Sequence, residues 1–129
     1  MKMNCETELV KIGDKLYPCG TSITMHFIGG KWKTVILYVL MDGAKRYNEL
    51  RKKMPKVTER TLSLQLKQLE KDGLISRKVF TKKPPLKVVY SLTDFGKTLI
   101  PLLEVLHDWG NKVAEEKGEV VKLNQLKKS

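Results

Sequence analysis

The side chains in this sequence that could do chemistry are two thiols and many lysines and arginines. Cys5 and Cys19 are too few for a disulfide framework, and they lack the C-x-x-C spacing of a structural zinc site. His26 and His107 have no partner at metal-ligand spacing, and no Ser/His/Asp or Cys/His set can be assembled. We therefore predict no metal, no cofactor and no enzyme active site.

The positive charge is concentrated in the middle of the chain. Of 129 residues, 25 are Lys or Arg and 14 are Asp or Glu, which gives a net charge of +11. Residues 31–97 hold 17 basic and 6 acidic residues, whereas residues 1–30 and 98–129 are each neutral. This distribution predicts that the middle of the chain binds a polyanion and that the two neutral ends have a different role. A solvated, lysine-rich surface is the alternative.

Length and hydropathy limit the classes of protein to which this chain can belong. The chain suits one domain, and 41% hydrophobic residues are enough for a real core. The longest apolar run, residues 35–41, is too short to cross a bilayer, and the N-terminus has no secretory signal. We expect a cytoplasmic location, no membrane contact, an arm over residues 1–17, a domain over 18–112 and a tail over 113–129.

The order of predicted elements is that of a winged helix-turn-helix. A first helix follows a cap at Thr21 or Ser22, and a second covers residues 31 to about 41. After a very short strand at 45–47, Asn48 caps a helix at 49–54, and Thr58 caps another that Gly73 ends. Runs at 74–81 and 86–92 predict a β-hairpin around a proline turn. Thr93 then caps a long helix that kinks or restarts at Pro101. The fold class is mainly α with a small β-hairpin, that is, α+β.

The helix after Thr58 is the predicted recognition helix. Leu62, Leu66 and Leu69 form its inward stripe. The outer face carries the candidate base readers: Arg60 suits guanine, Gln65 suits adenine, and Thr61 or Leu64 could touch a thymine methyl. The candidate readers are Thr58, Arg60, Thr61, Leu64 and Gln65, and Gln68 on the same face is a further candidate DNA-binding residue. Alternatively this is the solvated side of an amphipathic helix, with Leu64 packed on the hairpin.

Basic residues outside that helix are candidate phosphate contacts. On the hairpin these are Arg77, Lys78, Lys82, Lys83 and Lys87, which suit phosphate or minor-groove contact. Before the recognition helix, Arg46, Arg51 and Lys56 could clamp the DNA backbone. Each alone could be an ordinary surface charge, but they coincide with the order of the motif.

Several stretches together resemble the HxlR-type winged-helix regulators, a bacterial and archaeal group related to the MarR regulators. The resemblance covers residues 18–112 in register. Its motifs are Cys19, Ile28-Gly29-Gly30-Lys31-Trp32, Leu40-Met41-Asp42-Gly43, Arg46-Tyr47-Asn48-Glu49-Leu50, Thr61-Leu62-Ser63, Leu69-Glu70-Lys71-Asp72-Gly73-Leu74-Ile75, Pro84-Pro85, Val89-Tyr90-Ser91-Leu92-Thr93, Gly96 and Asp108-Trp109-Gly110. The arm before Pro18 is longer than the usual start of the family.

The resemblance implies a homodimeric transcription regulator that binds double-stranded DNA. In this family the N-terminal region and the last helix build the dimer interface. The residues that this places at the interface are Ile23, Phe27, Leu99, Leu103, Leu106 and Trp109. The resemblance identifies neither an operator nor an effector.

Cys19 occupies a position where many family members carry a cysteine, which in several of them senses oxidants or electrophiles. Its place just before a helix favours the reactive thiolate. A buried structural cysteine is the alternative and the one that the sequence alone favours, because reactivity depends on exposure. Cys5 could pair with Cys19 within one chain or between two chains.

Two functions from different classes remain at this point. One is a dimeric regulator that occupies a palindromic operator and that could respond to thiol oxidation at Cys19. The other is a winged-helix interaction module, or a nonspecific nucleic-acid binder, whose basic hairpin serves another partner. Sequence preference in DNA binding separates them, because only the regulator should favour a specific palindrome.

Overall fold

The structure is a computed structural model that describes residues 4–125. Its elements confirm the winged helix-turn-helix order. They are β1 (Val10–Ile12), β2 (Lys15–Tyr17), α1 (Gly20–Ile28), α2 (Lys33–Val39), a 3-10 turn (Leu40–Asp42), β3 (Lys45–Arg46), α3 (Tyr47–Lys53), α4 (Glu59–Lys71), β4 (Ile75–Val79), β5 (Val88–Leu92), α5 (Asp94–Lys97), α6 (Ile100–Lys117) and a final 3-10 turn (Leu123–Gln125).

One apolar core joins the helices to the base of the hairpin. Leucines and isoleucines from α2, α3, α4, β4 and α6 fill it, and no polar side chain of the described residues is buried. Burying each such side chain stabilises the fold by about 1.5–3 kcal/mol. The fully buried members are Ile36, Leu37, Leu50, Leu62, Leu66, Leu69, Leu74, Ile75 and Leu103. The predicted inward stripe of the recognition helix is thus confirmed.

The caps of the helices explain where they begin. Thr58 caps α4 as predicted, because its hydroxyl oxygen accepts the N–H of Thr61 at 3.1 Å. The predicted cap at Asn48 is wrong: α3 begins at Tyr47, two residues earlier than predicted, and the Glu49 carboxylate accepts the N–H of Arg46 at 2.9 Å. That acceptor satisfies a free N–H at the helix start, so no Asn cap is needed.

The first helix also begins earlier than predicted. Cys19, rather than Thr21 or Ser22, is the residue before α1. The Ser22 hydroxyl lies inside the first turn and donates to the carbonyl oxygen of Cys19 at 3.0 Å. The second helix is shorter than predicted, because α2 begins at Lys33 and the chain tightens into a 3-10 turn after Val39.

The hairpin belongs to a three-stranded antiparallel sheet with the order β3-β5-β4. Ser76 lies opposite Ser91, and their hydroxyls are 3.0 Å apart. We call the segment from β4 through β5, residues 75–92, the wing. The last helix restarts as predicted: Thr93 caps the short α5, and α6 begins at Ile100 with Pro101 in its first turn.

Both ends of the chain carry more structure than an arm and a tail. The predicted arm contains a two-stranded hairpin, β1–β2, that turns at Gly13 with φ at 62°. At the other end α6 continues to Lys117, five residues beyond the predicted boundary at 112, and residues 126–129 lie outside the described part. Across residues 4–125 no helix combines the length and apolar character that crossing a membrane requires.

Candidate nucleic-acid interface

The outer face of α4 presents the predicted base readers together. Arg60, Gln68 and the capping Thr58 are exposed, while Thr61 and Gln65 are half-buried at the edges of the face. Leu64 is 51% exposed, so it lies on this outer face and is not covered by the hairpin. An apolar side chain among polar ones at a helix surface is suited to a thymine methyl.

Contacts between α3 and α4 fix the direction of that face. The Tyr47 hydroxyl donates to the carbonyl oxygen of Glu59 at 3.3 Å and lies 3.4 Å from the Ser63 hydroxyl. The Arg51 guanidinium is 2.9 Å from the Glu59 carboxylate. Arg51, predicted as a phosphate clamp, is therefore already paired across the helix-turn-helix. Sequence reasoning did not assign Tyr47 this positioning role.

The wing carries its basic residues on two faces. The register places Arg77 opposite Tyr90 and Lys78 opposite Val89, so these two basic residues point to opposite sides. Arg77 lies toward α4, in a cleft of about 360 Å³ lined also by Ser63 and Lys67. Lys82 and Lys83 are exposed in the turn that joins the strands. With Arg46 and Lys56, both exposed, these side chains are accessible to a polyanion.

The sequence did not predict that two apolar side chains at the tip of the wing are exposed. Phe80 is 61% exposed and Leu86 is 50% exposed, although both sit beside lysines. The Lys87 ammonium lies 5.5 Å from the centre of the Phe80 ring. Their signal in the sequence was an apolar residue on each side of a short basic turn, where solvated residues are expected.

Some of the candidate dimer residues are buried within their own chain, and others are exposed to solvent. Leu103 is only 2% exposed and packs into the core of its own chain. Ile23, Phe27 and Leu99 are half-buried, and Phe27 meets Phe95 edge to face at 5.5 Å. Leu106 and Trp109 are exposed on α6, the latter at 69%. Met25, Phe95 and Val105 are also exposed apolar side chains of α1, α5 and α6 that the sequence analysis did not select.

Cys19 stands at the N-terminus of α1 and is partly exposed rather than buried. The backbone N–H and the hydroxyl of Ser22 lower the pKa of the Cys19 thiol below its ordinary value of 9.0, and the N–H of Thr21 and the Cys5 thiol contribute in the same direction. These donors stabilise the thiolate, which is the reactive form. No group of residues in the described range could hold a metal ion.

A pH profile tests this environment directly. We expect alkylation of Cys19 by iodoacetamide to reach half its maximal rate at a pH below 9.0, because the thiolate forms there. In Ser22→Ala the midpoint rises, since the variant removes a hydroxyl that lies beside Cys19, where it donates to the Cys19 carbonyl oxygen in the neutral form and lowers the pKa of the thiol. Thr24→Ala is the matched control, because its hydroxyl bonds the Gly20 carbonyl and not the thiol. The rate is measured by peptide mapping, and an unchanged midpoint in Ser22→Ala contradicts the assigned cause.

Comparison with known proteins identifies the family. The family model of the HxlR-like helix-turn-helix matches residues 27–118. The chain belongs to the HxlR-like helix-turn-helix family. The chain thus carries the helix-turn-helix DNA-binding domain of a family of transcriptional regulators, which confirms the resemblance drawn from its motifs.

A curated relative and two solved structures are similar to this chain over most of their length. YdeP of Bacillus subtilis, named as an uncharacterised HTH-type transcriptional regulator, is 48% identical over 116 residues, covering 90% of this chain and 88% of YdeP. The redox regulator HypR in its oxidised form superposes with a TM-score of 0.69 at 43% identity, covering 79% of this chain and all of HypR. The reduced form of the regulator YodB from B. subtilis superposes with a TM-score of 0.63 at 30% identity, covering 76% and 96% of the two chains.

Proposed function

We propose that this chain is a sequence-specific transcriptional regulator that binds a palindromic operator as a homodimer. The observation that carries the proposal is the outer face of α4, where Arg60, Thr61, Leu64 and Gln65 lie together beside a basic wing. In a winged helix the second helix of the pair enters the major groove, where base edges differ from one pair to the next. The wing lysines supply phosphate contacts that carry affinity without sequence information.

A second copy of the chain would cover the exposed apolar side chains of α1 and α6. Leu106 and Trp109 stand on the exposed side of α6, and Ile23 and Phe27 add half-buried apolar area on α1. A two-fold dimer through these helices sets two α4 helices at a fixed distance. For a helix-turn-helix dimer that distance matches half-sites about 34 Å apart on one face of the duplex.

Selection of duplexes from a random pool, followed by footprinting, tests this proposal. The expected result is an enriched palindrome, two chains bound per duplex and two protected half-sites on one face. A single protected half-site with one chain bound contradicts the dimer. Failure to enrich any sequence contradicts the sequence-specific regulator.

Lys83→Ala separates the role of the wing from that of α4. We expect it to weaken binding to all duplexes alike and to reduce the slope of log K against log salt by about one, because one phosphate contact is lost. Titrations in a salt series measure the slope for the selected and a random duplex. Lys117→Ala is a control for overall charge, since Lys117 is exposed at the end of α6 and lies outside the wing. A Lys83→Ala effect confined to the selected duplex contradicts a phosphate role.

Thiol chemistry at Cys19 is the proposed regulatory input. Its partial exposure and its donors at the N-terminus of α1 favour a reactive thiolate. HypR is described as a redox regulator, and the YodB structure is described as a reduced form. Both descriptions support the same role. Oxidant-dependent loss of operator binding that is absent in Cys19→Ser is the expected result, and equal loss in both proteins contradicts it.

An interaction module is the second candidate function. The observation in its favour is the exposed pair Phe80 and Leu86 at the wing tip, which could contact an apolar partner surface. Phe80→Ala distinguishes the two, because an interaction module loses its protein partner while a regulator keeps its preference for the selected duplex.

A further inference from the structure

A cleft of about 360 Å³ separates the wing from the side of α4 that faces it. Residues of α3, α4, β4 and β5 form its walls. The side chains that line it are Tyr47, Ser63, Lys67, Glu70, Arg77 and Tyr90. Tyr90 is the direct cross-strand neighbour of Arg77, so both side chains point to the same face of the sheet. One wall of the cleft is therefore the recognition helix, and the other is the wing.

The cations of this cleft are available to an external anion. Lys67 and Arg77 are both exposed, and neither makes an ion pair with another residue of the range 4–125. Arg51, by contrast, is held by Glu59 at 2.9 Å. Glu70 also lines the cleft and has no ion pair within the same range. The lining thus carries two positive charges and one negative charge, and this excess favours an anion.

A hydroxyl group lies beside these cations. The exposed Ser63 hydroxyl is 3.4 Å from the Tyr47 hydroxyl. Because the Tyr47 hydroxyl gives its proton to the Glu59 carbonyl oxygen at 3.3 Å, Ser63 is the donor in the contact between the two hydroxyls. That contact is long, so a charged oxygen, which accepts a shorter and stronger hydrogen bond, would take the Ser63 proton instead. Ser63 therefore adds a neutral donor to a cleft that already holds two cations.

The cleft lies where a DNA strand passes in a winged-helix complex. The second helix of the pair occupies the major groove, and the hairpin lies alongside it. The sugar-phosphate strand at the edge of that groove therefore runs between the two. At 100° per residue, Lys67 lies about 60° from Leu64 on the outer face, on the side of Ser63. Lys67 thus stands between the base-reading face and the wing, where the phosphates of this strand are the nearest anions.

We propose that this cleft holds one phosphate of the DNA strand between α4 and the wing, with Lys67, Arg77 and Ser63 as its donors. The proposal rests on the proposed DNA binding of this chain and deepens it. Of these three residues, only Arg77 is a phosphate contact predicted from the sequence. Because α4 and the wing hold the same phosphate, this contact fixes the orientation of α4 in the groove, and so the base edges that Arg60 reaches.

Glu70 limits the strength of this site. Its carboxylate lines the same cleft and repels a phosphate. We expect Glu70→Gln to strengthen binding to all duplexes by roughly 1.5- to 5-fold, the range for one pair of charges that water reaches. Titrations with the selected and a random duplex measure the gain, and weaker binding by Glu70→Gln contradicts the site.

Replacement of single phosphates by neutral methylphosphonates tests the proposal directly. Each phosphate of one half-site of the selected duplex is replaced in turn, and binding of the full-length chain is titrated. We expect several replacements to weaken wild-type binding, each by roughly 5-fold. Only one of them, on the strand at the edge of the major groove, should lose its effect in Lys67→Ala/Arg77→Ala, because no cation is then left in the cleft to attract that phosphate.

Lys78→Ala is the matched control. It removes a charge from the same strand, but Lys78 points to the opposite side of the wing, so the critical replacement should keep its full effect. Ser63→Ala tests the neutral donor. It should weaken binding to all duplexes without changing the slope of log K against log salt, because no charge is lost. Unchanged affinity in Ser63→Ala would contradict the place of Ser63 in the site.

The proposal is overturned when the double variant keeps the wild-type response to every replacement. With a selected duplex, that result removes only the cleft and leaves the regulator function intact. If no duplex is selected, the salt slope on a random duplex decides. A fall of about one in Lys67→Ala/Arg77→Ala then supports the cleft without the regulator function, and an unchanged slope overturns both.

Discussion

Gly96→Ala is expected to lower the free energy of unfolding by about 1–3 kcal/mol or more, which is the range for overpacking a filled interior. Gly96 is buried in α5, and an added Cβ would overlap the carbonyl oxygen of Leu74. That oxygen belongs to backbone and also accepts the N–H of Thr93 at 3.1 Å, so it cannot move aside without breaking the junction between the wing and α5. Urea denaturation followed by circular dichroism measures the change.

The matched control for that prediction is Gly20→Ala. Gly20 is the first residue of α1, and a Cβ there meets no atom within 4 Å. Its effect should be neutral or stabilising by about 0.4–1 kcal/mol, because alanine restricts the unfolded chain without strain in the helix. Equal denaturation midpoints for Gly96→Ala and the wild-type protein would mean that α5 does not pack against Leu74 as described.

Arg60→Ala is expected to weaken binding to the selected duplex by about 1–3 kcal/mol, roughly a 5- to 150-fold loss, and to relax the choice of base at one position. Arg60 lies exposed in the first turn of α4, the part of a recognition helix that contacts base edges. A guanidinium offers two parallel donors that match the O6 and N7 atoms of guanine. Competition titrations against duplexes with single base changes measure the relaxation.

Two variants distinguish base reading from charge in that experiment. Arg60→Lys keeps the charge but loses the fork of donors, so it should lose most of the discrimination. Lys71→Ala removes a charge from the last turn of the same helix, so it should affect all duplexes alike. If Arg60→Ala weakened random and selected duplexes by the same factor, the assignment of Arg60 as a base reader would be wrong.

The parts of the fold that were predictable are those set by local chemistry. Thr58 and Gly73 mark the two ends of α4, and the leucines between them repeat at helical spacing, so one short stretch fixes its bounds and its buried side. Pro101 predicts a helix restart for a similar reason, because it lacks an N–H and is accepted only in the first turn.

The parts that were not predictable depend on contacts between distant residues. Arg51 looks like any basic residue of a DNA-binding surface until the fold places Glu59 2.9 Å from it. Leu103 and Leu106 are both leucines of one helix, yet only the packing of α6 on α2 decides which one is buried. In the same way the β1–β2 hairpin depends on pairing between three-residue strands, which give little periodic signal in the sequence.

A single titration determines whether α4 and the wing together recognise a specific DNA sequence. Binding of the reduced full-length chain is titrated against the selected duplex and against a scrambled duplex of the same composition, over a salt series. We expect a preference of about 10³-fold or more that persists as salt weakens both complexes. Equal affinities that fall equally steeply with salt would contradict it and would leave a basic winged helix without sequence preference.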